Sequence, residues 1–130
     1  MIELELPWPP SVNSYKKVGR LITTKNGKLY QTRVNTQETK EFYYYVWLKI
    51  RSLKATTRME MPIHSTISIE VHAHPPDDKK RDLDNILKAL FDSLVKGGLL
   101  QDDSQISRLL VERMDIIKGG QIIIRIKEYD

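Results

Sequence analysis

Residues 2–6, IELEL, alternate apolar and acidic positions, the period-two pattern of a strand with one buried face. Pro7, Pro9 and Pro10 end it, because proline cannot donate to a ladder. The stretch P-W-P-P-S-V-N-S-Y-K-K over 7–17 then reads as a rigid loop carrying Trp8, Asn13, Lys16 and Lys17. Asn26-Gly27 signals a type I′ turn, and hence a hairpin, within 19–32. From 36 to 57 the period changes. Phe42, Val46, Ile50 and Leu53 form one apolar stripe, which predicts a helix capped by Thr36 or Thr39. On that helix Tyr43, Tyr44, Tyr45 and Trp47 are expected chiefly in core and dimer contacts, with base stacking as the competing use.

Residues 63–74 alternate again, with Ile67, Ile69, Val71 and Ala73 on one face and His64, His72 and His74 on the other. Two histidines at i, i+2 suit a metal, but a solvated sheet face explains them as well. Pro75 and Pro76 close the strand. Leu83, Ile86, Leu87, Leu90, Phe91, Leu94 and Val95 then follow a full amphipathic pattern, predicting a helix of about fifteen residues, roughly 22 Å long. Gly97-Gly98 stops it. Strands are expected over 105–117 and 121–129, joined by a turn at Lys118-Gly119-Gly120. The expected fold is a single α+β domain over 1–130: a mixed β-sheet and two main helices in the order β-(ββ hairpin)-α-β-α-β-β.

A chain of 130 residues with 40% apolar content can bury a real core. No apolar run reaches membrane-span length, no signal peptide is visible, and there is no cysteine. These features fit a cytoplasmic protein and exclude thiolate chemistry. Charge is unevenly spread. Residues 1–60 hold 11 Lys/Arg against 5 Glu, and residues 61–130 hold 10 Lys/Arg against 12 Asp/Glu. A basic half beside an acidic half suits a polyanion held over a cation site, although ordinary solvated surface has the same composition.

Seven of the nine aspartates lie between Asp77 and Asp103. Clustered carboxylates repel unless they bind cations or stay solvated. Asp82 and Asp84 form a D-x-D pair, and Asp102 and Asp103 form a second pair about twenty residues on, with a helix between that can bring the pairs together. At spacing two, carboxylates point together in extended or cap geometry rather than on a helix. A helix cap needs only one Asp. Carboxylates without Cys or His partners select a hard cation, Mg²⁺ or Mn²⁺, which suits phosphodiester hydrolysis. Lys88, four residues after Asp84, serves either a phosphate contact or a surface ladder Asp84–Lys88–Asp92–Lys96, in which Asp92 is structural. Lys79, Lys80 and Arg81 are placed to grip backbone phosphates.

These motifs carry a resemblance. L-P-W-P-P-S-V-N-S-Y (6–15), K-K-R-D-L-D-N-I-L-K-A-L-F-D-S-L (79–94) and D-D-S-Q-I (102–106) are similar to the RusA family of Holliday junction resolvases. The resemblance implies Asp82, Asp84 and Asp103 as metal ligands and Lys88 as an essential residue. Asn13 and Asn85 occupy further matched positions, and Asp102 stays a neighbour or outer partner. Segment 16–35 departs most from the pattern. The resemblance also implies a homodimer acting on four-way DNA junctions with Mg²⁺ or Mn²⁺. A two-fold dimer supplies the two opposed cuts that a near-symmetric junction needs. Two alternatives stay open: a nuclease for other branched DNA, and a junction-binding protein without catalysis.

Overall fold

Burial along β1 (Ile2–Leu6) follows the pattern: Ile2, Leu4 and Leu6 are buried and the glutamates between them are exposed. A computed structural model describes residues 1–11 and 14–130, so Asn13 lies outside the described residues. The elements after β1 are β2 (Lys16–Thr23), β3 (Leu29–Asn35), α1 (Gln37–Thr56), β4 (Ile67–His74), α2 (Leu87–Lys96), β5 (Ile106–Arg113) and β6 (Gln121–Glu128). This is the expected α+β order.

The main sheet runs β1-β6-β4-β5, and β2 and β3 pair as a separate hairpin. β6 is antiparallel to both its neighbours, whereas β4 and β5 are parallel, from Ile67 opposite Ile106 to Ala73 opposite Arg113. A parallel pair requires a crossover, and α2 supplies it. Ile67, Ile69, Val71 and Ala73 of β4 meet Ile122, Ile124 and Ile126 of β6 in the core. Phe42, Val46 and Ile50 of α1 and Leu90 and Leu94 of α2 cover that face. The other face carries charge across the strands, with Arg125 bonded to Glu3 at 2.9 Å and Arg108 3.8 Å from Glu70. Among the described residues no helix is long and apolar enough to cross a membrane.

Thr36 is the α1 cap, its hydroxyl accepting from the Thr39 N–H at 3.2 Å. Five expectations change, the first being that Lys16 and Lys17, expected in the loop 7–17, already belong to β2. The hairpin forms, but only Gly27 has positive φ, so its turn is not type I′. Gly27 donates to the Thr24 carbonyl at 2.9 Å, as in a longer loop ending on a left-handed glycine. Tyr44, Tyr45 and Trp47 are exposed rather than core. The α1 stripe is filled by Thr39, Phe42, Val46 and Ile50, leaving Tyr44 stacked on Trp47 outside it. The second helix begins as a 3₁₀ turn, Leu83–Ile86, so its α-helical part spans ten residues. β5 stops at Arg113, where the chain turns so that Met114 and Ile117 donate to the carbonyls of Ala73 and Pro75. In the turn before β6, Gly120 is required twice: its φ is +80°, and a Cβ there would lie 2.6 Å from Trp8 Cβ.

Candidate active site

The loop after β4 delivers the D-x-D pair. Buried Pro75 ends the strand, and Asp77 then tightens the turn, accepting from the Lys79 N–H at 3.0 Å and from both terminal nitrogens of Arg81. Those bonds, the Arg81 guanidinium first, hold the Asp77 carboxyl at about 2. The Arg81 carbonyl accepts from Arg113 Nη2 at 2.7 Å, which moors the loop to the end of β5.

Asp82 follows in extended geometry (φ −84°, ψ 135°) at the cap position of the 3₁₀ turn. Its backbone carbonyl takes the Asn85 N–H at 3.2 Å, yet its carboxylate makes no cap bond. The residue has the cap position while its oxygens find no partner among the described residues. Asp84 and Asp103 are also exposed. Among the described residues no side chain or N–H bonds to the carboxylates of Asp82, Asp84 or Asp103. Trp8, Ser11, Lys80, Arg81, Asp82, Asn85 and Ile86 line a groove of about 380 Å³. Lys79 and Lys80 are exposed beside it, whereas Arg81 is engaged by Asp77. Lys88 pairs with Asp92 at 3.3 Å. Lys16 and Lys17 sit exposed at the start of β2.

Asp103 opens a second 3₁₀ turn, Asp103–Gln105, directly before β5. Gln105 fixes it with four bonds. Its Oε1 accepts from the N–H groups of Gln101 (2.8 Å) and Asp102 (2.9 Å), and its Nε2 donates to the carbonyls of Ile63 (2.7 Å) and Ser65 (2.8 Å). The signal was present in the sequence: Asp followed three residues later by Gln is a capping-box spacing. Asp102 accepts from the Ser104 hydroxyl, and that bond, then backbone N–H groups, hold its carboxyl below the ordinary range. Of the two neighbours, Asp102 serves the turn and Asp103 is left free.

The register decides what one chain brings together. Asp82 lies past the C-terminal ends of β4 and β5, where Arg113 reaches the Arg81 carbonyl. Asp103 lies before the N-terminal end of β5, beside Ser65. Seven residue steps along β5 separate those ends by roughly 23 Å. Among the described residues no three His, Asp or Glu side chains are grouped to hold a metal ion. Asp82 and Asp84 thus share a segment and Asp103 does not join them within one chain. The histidines are used otherwise: His74 Nδ1 meets the Asp115 carbonyl at 2.8 Å, and His64 Nδ1 meets Gln101 at 2.7 Å.

Asp82, Asp84 and Asp103 thus present exposed oxygens with no partner among the described residues, and Lys79 and Lys80 stand exposed beside the first two on a small α+β scaffold. Sequence comparison matches residues 7–127 to the family Endodeoxyribonuclease RusA. The crossover junction endodeoxyribonuclease RusA of Escherichia coli (strain K12) is 32% identical over 127 residues, covering 96% of this chain and 92% of that protein. The enzymes of the same name from Enterobacteria phages 82 and HK97 are 32% and 34% identical, with the same shares covered. The chain belongs to the RusA family of endodeoxyribonucleases.

Proposed function

We propose that two copies of this chain form a dimeric resolvase of four-way DNA junctions, with divalent-cation sites shared between the copies. The carrying observation is the separation of Asp82 and Asp84 from Asp103 along β5, with all three carboxylates exposed and, among the described residues, unbonded. A second copy related by a two-fold axis brings its Asp103 to the Asp82–Asp84 pair of the first, twice over. The donor set is all oxygen, which fits Mg²⁺ or Mn²⁺. Such a cation would lower the pKa of a bound water and offset phosphate charge.

The chain's own residues do the rest. Lys88, one helical turn from Asp84, balances charge on the scissile phosphate. Lys79 and Lys80 hold neighbouring phosphates, and Asn85 lines the groove that receives the strand. Lys16 and Lys17 extend the cationic surface. The names of the relatives support junction DNA as the substrate.

The test is a panel of end-labelled substrates with and without Mg²⁺: a junction that cannot migrate, a fork, a flap and a duplex. Paired symmetric nicks in the junction, with the others cut at least tenfold more slowly, agree with the proposal. Equal cutting of fork or flap points to a general branched-DNA nuclease. Binding without cutting points to a junction-binding protein.

A further inference from the structure

We propose that Asp92, anchored by Tyr15, is a positioning residue that holds the Lys88 ammonium for its phosphate contact. The proposal rests on the reading of Lys88 given above. The motif spacing sets up a ladder Asp84, Lys88, Asp92, Lys96, and an ordinary surface ladder forms all of its pairs weakly. Here one pair forms. Lys88 Nζ lies 3.3 Å from Asp92 Oδ2 and 3.4 Å from Oδ1. Asp84 takes no part, and Lys96 sits 5.3 Å from the centre of the Tyr43 ring instead.

The pair is also asymmetric. The Lys88 side chain is 59% exposed and that of Asp92 only 23%. Asp92 is fixed from its inner side, because the Tyr15 hydroxyl donates to Oδ2 at 2.5 Å. Tyr15 is 5% exposed and its single proton is committed to Asp92, so the Tyr43 hydroxyl donates to Tyr15 in turn. Burial, and then the bond to Asp92, push the Tyr15 phenol far above its ordinary range, so it remains a donor at any pH at which the protein works. A free lysine spreads over many rotamers. A lysine paired to a carboxylate that Tyr15 holds is more confined, while its other donors still face outward.

The anchor also reaches the site through the chain. Tyr15 ends the segment whose Trp8 and Ser11 line the groove with Asp82 and Asn85. The chain Tyr43–Tyr15–Asp92–Lys88 therefore joins α1, the N-terminal segment and α2.

The test compares the dimeric wild type with Tyr15→Phe and Asp92→Asn. Tyr15→Phe removes one oxygen and keeps the ring, so it retains the fold if the more disruptive variant does not. One readout is the acylation rate of each lysine, followed by mass spectrometry without DNA. The other is single-turnover cleavage of the labelled junction, with junction Kd measured separately. We expect Lys88 alone to acylate several-fold faster in both variants. Cleavage should fall about tenfold with Kd changed less than twofold, and Asp92→Glu should recover part of the rate. Unchanged Lys88 acylation overturns the proposal, as does faster acylation with an unchanged rate. All lysines moving together with a loss of folded protein also overturns it, since that is a purely structural role. A wild type that cuts no junction defeats the functional reading instead, and the acylation arm still judges the anchor.

Discussion

Asp82 and Asp103 stand at opposite ends of the parallel pair β4–β5, the first beyond Arg113 and the second before Ile106. Both are surrounded by bonds that fix the backbone while, among the described residues, none reaches their own carboxylates. At one end Asp77, Arg81 and Arg113 make those bonds, and at the other Gln105 and Asp102 make them. The proposed two-copy site rests on this arrangement at two distant places.

Arg113→Ala should release the loop before Asp82. Arg113 is exposed, so we expect global stability to change by no more than about 1 kcal/mol. Amide exchange over residues 77–84 should quicken several-fold while that of β6 is unchanged. Unchanged exchange in the loop would show that Arg113 does not moor it.

Asp77 gives a pH signature. Its carboxyl is held at about 2 against an ordinary 3.8, first by Arg81 and then by the Lys79 N–H. The folded value is the lower one, so the contribution of this turn is complete above pH 3.8 and is lost as pH falls through about 2. Carbon-detected titration should place the midpoint near 2, and Arg81→Ala should return it toward the ordinary range. A wild-type midpoint in the ordinary carboxylate range would mean that the pair does not persist in solution.

Gly120→Ala should cost about 1–3 kcal/mol from the left-handed backbone alone. The added Cβ also meets Trp8, so the indole on the groove wall must shift. Urea unfolding measures the cost, and Trp8 fluorescence in a Trp47→Phe background reports the movement. Stability within about 0.5 kcal/mol of wild type and an unmoved spectrum would contradict the close approach, given the magnitude of such strain.

Lys79 and Lys80 are exposed next to the groove. Replacing either by Ala should weaken binding to junctions of any sequence. The slope of log K against log salt should fall by about 0.9 for each phosphate that the variant no longer neutralises. Arg81→Ala should lower that slope less, because Asp77 already engages its guanidinium. Equal slopes for wild type and Lys80→Ala would remove Lys80 from the interface.

β1, β4, β6 and both helices were legible because their apolar periods are clean: alternating apolar residues in the strands, and every third or fourth position in α1 and α2. As core residues Tyr44, Tyr45 and Trp47 misled, because aromatic mass usually marks a buried stripe and here Phe42, Val46 and Ile50 already fill it. The 3₁₀ start of the second helix carries no periodic signal of its own. The acidic motifs named the candidate carboxylates, but local spacing cannot say whether two strands run parallel. That long-range pairing is what sets Asp103 apart from Asp82. The tie from Tyr15 to Asp92 spans 77 residues and was invisible for the same reason.

Complementation between two inactive variants tests the shared site most directly. Asp82→Asn and Asp103→Asn are each purified, shown to bind the junction without cutting it, then unfolded together and refolded as mixed dimers. A shared site leaves each mixed dimer one intact set of carboxylates and one doubly broken set. We predict that Mg²⁺-dependent nicking returns, on one strand per junction. If each chain built its whole site alone, both sites of the mixed dimer would carry a lesion. Mixed dimers that bind junctions and never nick them would contradict the shared site.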